Sequence, residues 1–330
     1  MRIGVVGVGR IGVFHAALLM RLPGVDTVSV ADSDGERAAR VADELGIASD
    51  TIDATIEKSD AVVITAATEA HTDLIVQAVD AGKPTFCEKP VSLDLASTEA
   101  VVAHVNRSGG RVQMGFQRRF DPGYVAARRL VESGSLGDLY SVRMIGHDPQ
   151  PPPDAYIPKS GGIFRDFGVH DFDALRFVTG QDVVSVFADG SVVAFPVFAE
   201  HGDVDTAAAL LRLDSGALGT LSLARHDPLG YDIRMELHGS GDSVVVGWDD
   251  RTPMRSVEPG AATLPGPAYG GFQDRFRAAY EAELRAFLEF ANGRRRNPCT
   301  VEDGRDALRI AAACDLSRTE HRPVRLEEVS

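Results

Sequence analysis

Residues 3–12 read Ile-Gly-Val-Val-Gly-Val-Gly-Arg-Ile-Gly, and this stretch decides the fold. A short apolar run leads into Gly7, Gly9 and Gly12, which have the spacing Gly-x-Gly-x-x-Gly. In such a turn one glycine allows the tight bend from strand to helix, one lets the backbone approach a pyrophosphate, and one lets the helix pack on the sheet. The N–H groups and the positive dipole end of the following helix attract phosphate. The stretch therefore predicts a dinucleotide site.

Asp32 supports this prediction and bears on the choice of cofactor. It follows a predicted second strand, Thr27–Ala31, and stands 20 residues past Gly12. A carboxylate there can accept hydrogen bonds from both ribose hydroxyls, whereas a 2'-phosphate would meet like charge. NAD is therefore favoured over NADP, although Arg37 nearby leaves NADP open as an alternative. The residues expected to bind the cofactor in this region are Gly7, Gly9, Arg10, Ile11, Gly12 and Asp32.

Strand and helix patterns keep alternating up to about residue 118. The predicted elements are helix 36–45, a short strand near Ala48, strand 61–65, helix 72–81, strand 84–87, helix 94–108 and strand 112–116. Strands that alternate with helices form a parallel sheet covered on both faces. The fold class is therefore α/β, and residues 1–119 are predicted to form a doubly wound Rossmann domain.

The pattern changes in the remainder of the chain. The predicted strands are 139–145, 183–193, 207–213, 218–224, 233–238 and 243–246, and the predicted C-terminal helices are 275–292 and 301–317. Several of these strands alternate apolar and polar residues, which is typical of an antiparallel sheet with one covered face. Residues 120–330 are therefore predicted to form an α+β domain with a large open sheet, whose C-terminal helices pack back on the sheets. Such an open sheet favours a homo-oligomer.

Composition excludes several classes of function. The net charge of -14 disfavours nucleic acid and anionic membranes as partners, because both repel an acidic surface. The first strand starts at residue 2, which leaves no room for a signal peptide, so we expect a cytoplasmic protein. Cys87, Cys299 and Cys314 lack the spacing of metal ligands, and we expect neither a disulfide nor zinc.

Lys89 is the first candidate for chemistry. The sequence Cys87-Glu88-Lys89-Pro90 stands at the carboxyl end of the predicted strand 84–87, where open α/β sheets bind ligands. Pro90 restrains the residue before it to extended geometry, which aims the lysine. The alternative is a solvated lysine in front of a helix.

Asp166 and His170 are the second candidates. They stand four residues apart after Gly161 and Gly162, so on a helix their side chains share one face. A carboxylate beside an imidazole sets its tautomer and raises its basicity, as a proton acceptor near neutral pH requires. Two alternatives remain open. One is a capping aspartate beside a structural histidine, and the other is a metal site that includes Asp173, although the pattern is weak for zinc.

Several motifs together resemble one family over essentially the whole chain. They are the Gly-x-Gly-x-x-Gly start, the triplet 88–90, the segment 161–173 with its Gly-Gly, Asp and His, and the segments 115–122, 147–149 and 230–232. This combination resembles the glucose-fructose oxidoreductase / inositol dehydrogenase (Gfo/Idh/MocA) family, most closely its myo-inositol 2-dehydrogenase branch. The resemblance implies a homotetramer built on the open sheet. It also implies that Thr65, Ala66, His71, Glu88 and Lys89 contribute to the cofactor site.

The resemblance further implies an enzyme and a reaction. The reaction would be the NAD-dependent oxidation of a ring CH-OH of a polyol, with myo-inositol converted to 2-keto-myo-inositol (scyllo-inosose). Lys89, Asp166 and His170 would be the catalytic residues, and Arg119, His147 and Tyr231 would join them in binding the substrate. Hydride can leave carbon only as the hydroxyl proton is taken, so we assign His170 as the general base.

Two alternatives to this function remain open. The first is a dehydrogenase of another inositol isomer or of an aldose sugar, because choosing among epimers depends on fine placement of polar groups. The second is a catalytically silent NAD-binding sensor or regulator. The presence of Lys89, Asp166 and His170 argues against a sensor, which has no need of an acid–base set.

Overall fold

A computed structural model of the chain describes residues 1–261 and 266–329. The chain divides into two compact units. Unit 1 comprises Met1–Gln117 and Tyr280–Asp306, and unit 2 comprises Arg118–Ala279 and Ala307–Ser330. The stretch 280–306 thus belongs with unit 1, while the domain boundary at residues 119 and 120 stays a prediction. Within the described ranges no helix is both long and apolar enough to cross a bilayer.

Unit 1 contains the alternating strands and helices that the sequence predicts, together with one helix, α3 (Ile52–Lys58), that it does not. They are β1 (Arg2–Val6), α1 (Arg10–Leu19), β2 (Thr27–Ala31), α2 (Gly35–Leu45), β3 (Ala48–Ser49), α3 (Ile52–Lys58), β4 (Ala61–Ile64), α4 (His71–Asp80), β5 (Thr85–Glu88), α5 (Leu95–Ser108) and β6 (Val112–Gly115). The strands pair in parallel in the order β3-β2-β1-β4-β5-β6. This order confirms the doubly wound sheet, and it reverses direction between β1 and β4, where such sheets bind ligands.

The strands of unit 1 are apolar because both faces of the sheet are covered. All four residues of β4, Ala61–Ile64, are completely buried, as expected for a central parallel strand. Side chains of Asp34, Thr51 and Asp94 accept backbone N–H groups and so begin α2, α3 and α5. The sequence did not predict α3, although Thr51 is a good N-cap.

Unit 2 has an α+β arrangement. Its elements are α6 (Pro122–Glu132), β7 (Leu139–His147), α7 (Ile157–Ser160), α8 (Val169–Thr179), β8 (Val183–Ser191), α9 (Val197–Glu200), β9 (Thr206–Leu213), β10 (Leu218–Ala224), β11 (Asp232–Gly239), β12 (Ser243–Val246), α10 (Phe272–Arg275), α11 (Arg277–Ala291), α12 (Val301–Glu320) and β13 (Val324–Arg325). Two of these helices, α11 and α12, contain residues of both units. A five-residue π-helical turn, Phe164–Gly168, leads directly into α8.

The sheet of unit 2 has the order β12-β11-β7-β10-β9-β8-β13. All neighbours are antiparallel except β7 and β10, which are parallel. This confirms the predicted open, mostly antiparallel sheet. Residues of β9 alternate strictly between exposed and buried, so one face is covered and the other is not. On the covered face, a Cβ at Gly146 of β7 would lie 3.3 Å from Asp171 of α8, so this helix lies close against the sheet.

Strand β8 ends two residues before the predicted position. The carboxylate of Asp205 accepts hydrogen bonds from the backbone N–H groups of Val193, Ala194 and Phe195 at 2.9, 2.7 and 2.8 Å. These bonds turn the chain out of the sheet after Ser191. They also hold the pKa of Asp205 below its usual value, because they outweigh the cost of burying the carboxylate.

Candidate active site

The glycine turn after β1 gives each glycine a different environment. Gly7 has a φ of +95°, and a Cβ there would lie 2.3 Å from the backbone nitrogen of Ala66. A Cβ at Gly12 would lie 2.0 Å from the carbonyl oxygen of Gly7. Gly9 is the N-cap of α1, where no side chain makes a capping hydrogen bond, and a Cβ there would meet open space. The turn therefore offers accessible backbone and uncapped N–H groups, which fit a pyrophosphate.

This difference gives a first testable prediction. We expect Gly9→Ala to fold normally but to bind NADH at least about tenfold more weakly, because its methyl group occupies space that a pyrophosphate needs. We expect Gly12→Ala to lose stability as well, since overpacking costs about 1–3 kcal/mol. Fluorescence titration with NADH and thermal unfolding measure the two effects. Wild-type NADH affinity in Gly9→Ala would contradict the assignment.

Asp32 follows β2 and bonds to the glycine turn. Its carboxylate accepts the backbone N–H of Val8 at 2.8 Å and that of Asp34 at 2.9 Å. Arg37 lies 3.5 Å from Asp32 and 3.3 Å from Asp34, and its side chain is 44% exposed. The guanidinium therefore already faces two carboxylates of unit 1. This arrangement weakens the NADP alternative, which needs Arg37 to turn toward a 2'-phosphate.

A cavity of about 520 Å³ opens beside Asp32, and its lining is acidic. Asp50 and Asp53 line it together with Asp32. Asp50 also bonds to Lys58, and this bond is the largest cause of the lowered pKa of Asp50. Asp50 is compensated by Lys58, so Asp32 is the carboxylate of this group that we expect to disfavour an additional phosphate.

Asp32→Ala is the second prediction. We expect the ratio of NAD affinity to NADP affinity to fall about 10- to 100-fold, because hydrogen bonds from the ribose to a charged group are lost together with the repulsion of a 2'-phosphate. The ratio cancels any structural loss, which affects both cofactors equally. Asp53→Ala is the matched control, since Asp53 lines the same cavity and accepts a hydrogen bond from Gln77 at 2.6 Å. An equal change in both variants would contradict the role of Asp32.

Glu88 ends β5 and forms a buried pair with α1. Its carboxylate lies 2.6 Å from Nε2 of His15, whose side chain is fully buried. The ring of His15 also makes edge-to-face contacts with Phe86 and Tyr280, at centroid distances of 5.5 Å. Glu88 therefore fixes α1 to the end of β5, and direct contact between Glu88 and the cofactor stays a prediction.

Lys89 and Pro90 come directly after Glu88. The peptide bond between them is cis, and Lys89 is half-buried. The carbonyl oxygen of Pro90 lies 2.7 Å from Nδ1 of His71, and that of Ala66 lies 3.0 Å from Nε2 of the same ring. The predicted residues Thr65, Ala66, His71, Glu88 and Lys89 thus all lie in unit 1, at the ends of β4 and β5 or at the start of α4.

Asp166 and His170 lie on one continuous helical segment of unit 2, although only His170 belongs to its α-helical part. Asp166 belongs to the π-helical turn, and His170 is the second residue of α8. Gly161 and Gly162 precede this segment with φ values of +81° and +91°, which only glycine adopts at low cost. The backbone N–H of Ile163 then bonds to Asp203 at 3.0 Å. The extra residue of the π turn changes the predicted α-helical spacing between the two side chains.

Two donors hold the carboxylate of Asp166. Tyr156 donates its hydroxyl to one oxygen at 2.9 Å, and Nη1 of Arg225 donates to the other at 2.9 Å. Arg225 is 2% exposed. Burial opposes its charge, but the nearby carboxylates of Asp166, Asp148 and Asp203 raise the pKa of Arg225 overall. The ion pair compensates the charge of the Asp166 carboxylate and, together with Tyr156, fixes its position.

Arg119, a predicted substrate ligand, lies in a buried ion pair. Its Nε and Nη2 donate to both carboxylate oxygens of Asp173 over distances of 2.6 to 3.0 Å. Arg118 likewise donates to Asp171 at 2.5 Å, and these two side chains are 2% and 0% exposed. Asp173 is thus paired with a guanidinium, which weakens the metal alternative that included it. Contact between Arg119 and a substrate stays a prediction.

His147 and Tyr231 lie at one end of the unit 2 sheet. His147 ends β7, with Nε2 at 3.2 Å from the hydroxyl of Ser222 and Nδ1 at 3.5 Å from Asp227. Tyr231 precedes β11 and is 5% exposed. Burial raises the pKa of Tyr231, so its phenol stays protonated and can donate a hydrogen bond. Their roles as polyol ligands stay predictions.

Among the described residues, one group is compact enough to hold a metal ion: His147, Asp227 and Asp232. Arg234, however, donates two hydrogen bonds to the carboxylate of Asp232, at 2.8 and 2.9 Å. This cation already compensates the charge that a metal ion would use.

Sequence reasoning missed three side chains that shape these sites. They are His15, Tyr156 and Arg225. Arg225 comes directly after β10, 59 residues along the chain from Asp166, and no local spacing indicates that it pairs with this carboxylate. His15 carried a weak signal, because a histidine on the phosphate-binding helix points toward the sheet when the residues beside it are apolar.

A doubly wound sheet with this glycine turn and an Asp at the end of β2 defines a dinucleotide-binding enzyme. Residues 1–116 match the model of the oxidoreductase family with an NAD-binding Rossmann fold, and residues 124–245 match the model of the GFO/IDH/MocA C-terminal domain. The chain belongs to the GFO/IDH/MocA family of oxidoreductases. The resemblance drawn from its motifs is therefore confirmed, and so is its assignment to NAD-dependent enzymes.

Relatives of known name extend over the whole chain. A myo-inositol dehydrogenase of Streptomyces leeuwenhoekii is 41% identical over 97% of this chain and 98% of its own length. The myo-inositol 2-dehydrogenase of Thermotoga maritima is 36% identical, covering 100% of this chain and 99% of its own. The crystal structure of a scyllo-inositol dehydrogenase from Lactobacillus casei with bound NAD(H) and scyllo-inositol has a TM-score of 0.89, at 27% identity, and 99% of each chain is covered.

Proposed function

We propose that this protein catalyses the NAD-dependent oxidation of a ring secondary alcohol of a cyclitol, with myo-inositol converted to 2-keto-myo-inositol. The observation that carries this proposal is the full-length similarity to a myo-inositol dehydrogenase at 41% identity. The presence of Lys89, Asp166 and His170 in the chain supports it, because oxidation of an alcohol needs an acid–base set.

In the proposed mechanism each residue has a separate role. His170 takes the proton of the reacting hydroxyl as general base. Asp166, held in place by Arg225, orients the imidazole and stabilises the imidazolium that forms. Lys89 binds the reacting oxygen and stabilises the negative charge that develops on it. The Gly7–Gly12 turn and Asp32 would hold the cofactor, whose nicotinamide would supply the hydride acceptor.

We further propose that Arg119, His147 and Tyr231 contribute to the recognition of the other ring hydroxyls. Tyr231 is suited to this because its buried phenol is a permanent donor. Arg119 would act partly by fixing Asp173, because its Nε and Nη2 donate hydrogen bonds to the two carboxylate oxygens of Asp173. A site that bonds several hydroxyls in fixed positions discriminates strongly against isomers that misplace one of them.

Oxidation of scyllo-inositol is a second candidate. It is favoured by a relative in Bacillus subtilis named scyllo-inositol 2-dehydrogenase (NAD(+)), which is 34% identical over 99% of this chain. Both candidates use the same residues, so only the measured substrate preference separates them.

A substrate panel tests the proposed function. Purified protein with NAD or NADP is mixed with myo-inositol, scyllo-inositol, D-chiro-inositol, glucose, galactose and xylose, and NADH or NADPH formation is followed by absorbance. We expect one preferred cyclitol with NAD. Activity on aldoses alone would replace the proposal with a sugar dehydrogenase, and binding of NAD without any turnover would favour the sensor alternative.

We also propose that the chain forms a homo-oligomer through the uncovered face of the unit 2 sheet, as a tetramer. Phe187 and Leu210 are cross-strand partners on this face and are 42% and 46% exposed. Apolar side chains of this size on a sheet face favour burial against another copy. Light scattering measures the assembly, and a monomer at micromolar concentration would contradict it.

A further inference from the structure

His71 begins α4 and is buried between two loops of unit 1. It is 1% exposed, with Nδ1 at 2.7 Å from the carbonyl oxygen of Pro90 and Nε2 at 3.0 Å from that of Ala66. Backbone carbonyl oxygens accept hydrogen bonds and never donate them. The imidazole therefore faces an acceptor at each nitrogen, and it can bond to both only when each nitrogen carries a proton.

The two carbonyl groups belong to segments with different tasks. Ala66 follows β4, and its backbone is the neighbour that excludes a side chain at Gly7. Thr65, one residue earlier, donates its hydroxyl to the carbonyl oxygen of Gly7 at 2.6 Å. Pro90, in contrast, follows Lys89 directly. The imidazole of His71 thus connects the segment that packs against the glycine turn after β1, which is the expected dinucleotide-binding turn, with the segment that carries Lys89.

The number of these bonds depends on the protonation of the ring. Neutral imidazole has one N–H and the imidazolium has two. The contact of Nδ1 with Pro90 is shorter than that of Nε2 with Ala66. We therefore assign the single proton of the neutral ring to Nδ1, which keeps the bond to Pro90. Burial lowers the pKa of His71 below its ordinary value of 6.5, while nearby Glu88 opposes this shift and Lys89 adds to it. The second bond, to Ala66, therefore forms on the acid side of pH 6.5.

We propose that His71 is a positioning residue with two separable functions. Its Nδ1–H bond to Pro90 positions Lys89, and its Nε2–H bond to Ala66, present in the imidazolium, positions the dinucleotide-binding turn. The function of the Pro90 bond rests on the proposed catalytic role of Lys89. The function of the Ala66 bond rests only on the binding of NAD.

Substitution of His71 by asparagine or glutamine keeps one of the two hydrogen bonds at a time. The amide nitrogen of asparagine lies at about the distance from Cα of Nδ1 of histidine, and that of glutamine lies at about the distance of Nε2. His71→Asn therefore keeps a donor for Pro90, His71→Gln keeps a donor for Ala66, and His71→Leu keeps neither. His104→Gln is the matched control, because His104 is a histidine of unit 1 that bonds to Asp80 at the surface.

We expect a crossed pattern among the variants when NADH affinity is measured below the pKa of His71, where the wild type has both bonds. His71→Asn should retain protection of residues 88–92 from amide hydrogen exchange and a kcat within a few-fold of wild type, while its NADH affinity falls about tenfold. His71→Gln should retain NADH affinity and lose that protection, with kcat lowered about 10- to 100-fold. His71→Leu should show both losses, and His104→Gln should show neither.

The pH dependence of NADH binding gives an independent readout. In the wild type, affinity should fall as the pH rises through the pKa of His71, because the Ala66 bond is lost. This step should be absent in His71→Asn and in His71→Gln, whose amides do not titrate in this range. His104→Gln should keep the step.

Several results would overturn the inference. One is a folded His71→Leu with wild-type exchange, kcat and NADH affinity. Another is an equal change of all readouts in His71→Asn and His71→Gln, which indicates a merely structural role. If no cyclitol is oxidised, the proposed function fails, while hydrogen exchange and NADH affinity still decide whether His71 has the two separable bonds.

Discussion

His170→Ala is expected to lose about 10²- to 10⁴-fold in kcat while its affinity for NADH stays close to that of the wild type. The proton of the reacting hydroxyl then lacks a positioned acceptor, so hydride transfer must wait for water. His170 lies in unit 2, on the segment that carries Asp166, whereas the glycine turn and Asp32 lie in unit 1. Steady-state kinetics with the substrate found in the panel and fluorescence titration with NADH measure the two quantities.

His201→Ala is the control for this variant. His201 is an exposed histidine of the same unit, and its backbone N–H closes a turn with Phe198. We expect wild-type kcat in this control. Wild-type turnover in His170→Ala would remove His170 from the role of general base, and an equal loss in both variants would indicate a nonspecific effect on unit 2.

The second large effect concerns the stability of unit 2. Asp171→Asn should lower the free energy of unfolding by about 3–5 kcal/mol, because the buried guanidinium of Arg118 loses its counter-charge. Both side chains are almost fully buried, at 2% and 0% exposure. Burial raises the pKa of Asp171, and the charge of Arg118 opposes that shift, so the carboxylate and the guanidinium stabilise each other's charges. Urea unfolding with two spectroscopic probes measures the change.

A surface pair and a double variant complete this experiment. Glu132→Gln removes one partner of the exposed pair between Arg128 and Glu132, and it should cost only a small fraction of the loss in Asp171→Asn. Arg118→Met combined with Asp171→Leu should be more stable than Asp171→Asn alone, since no buried charge is left unpaired. A double variant that is no more stable than Asp171→Asn would contradict the ion-pair explanation.

Local patterns were sufficient to predict the architecture of unit 1. Strands 61–65 and 84–87 are nearly continuous apolar runs because a parallel sheet is covered on both faces, and β4 and β5 lie within one residue of them. The alternation of residues in β9 and β10 similarly predicted an open sheet with one covered face. The parallel pairing of β7 with β10 was not predictable, because it joins segments that no short connection links.

The sequence indicates candidate site residues but not the partners of their side chains, and the roles of these residues stay predictions. The glycine spacing and the position of Asp32 indicate a cofactor site because each position has a separate steric or electrostatic requirement. The pairing of Asp166 with Arg225, and that of Arg119 with Asp173, join residues more than 50 positions apart. Arg225 meets Asp166 only when the end of β10 packs beside the π turn, and Arg119 meets Asp173 only when the segment before α6 packs against α8.

Transfer of deuterium from labelled myo-inositol tests the central claim most directly. Myo-inositol with deuterium on C2 is incubated with the protein and NAD, and the reduced cofactor is examined by mass spectrometry and NMR. The proposed function requires one deuterium at C4 of the nicotinamide and formation of 2-keto-myo-inositol. Reduced cofactor without deuterium, or no reduced cofactor at all, would contradict hydride transfer from C2 of myo-inositol.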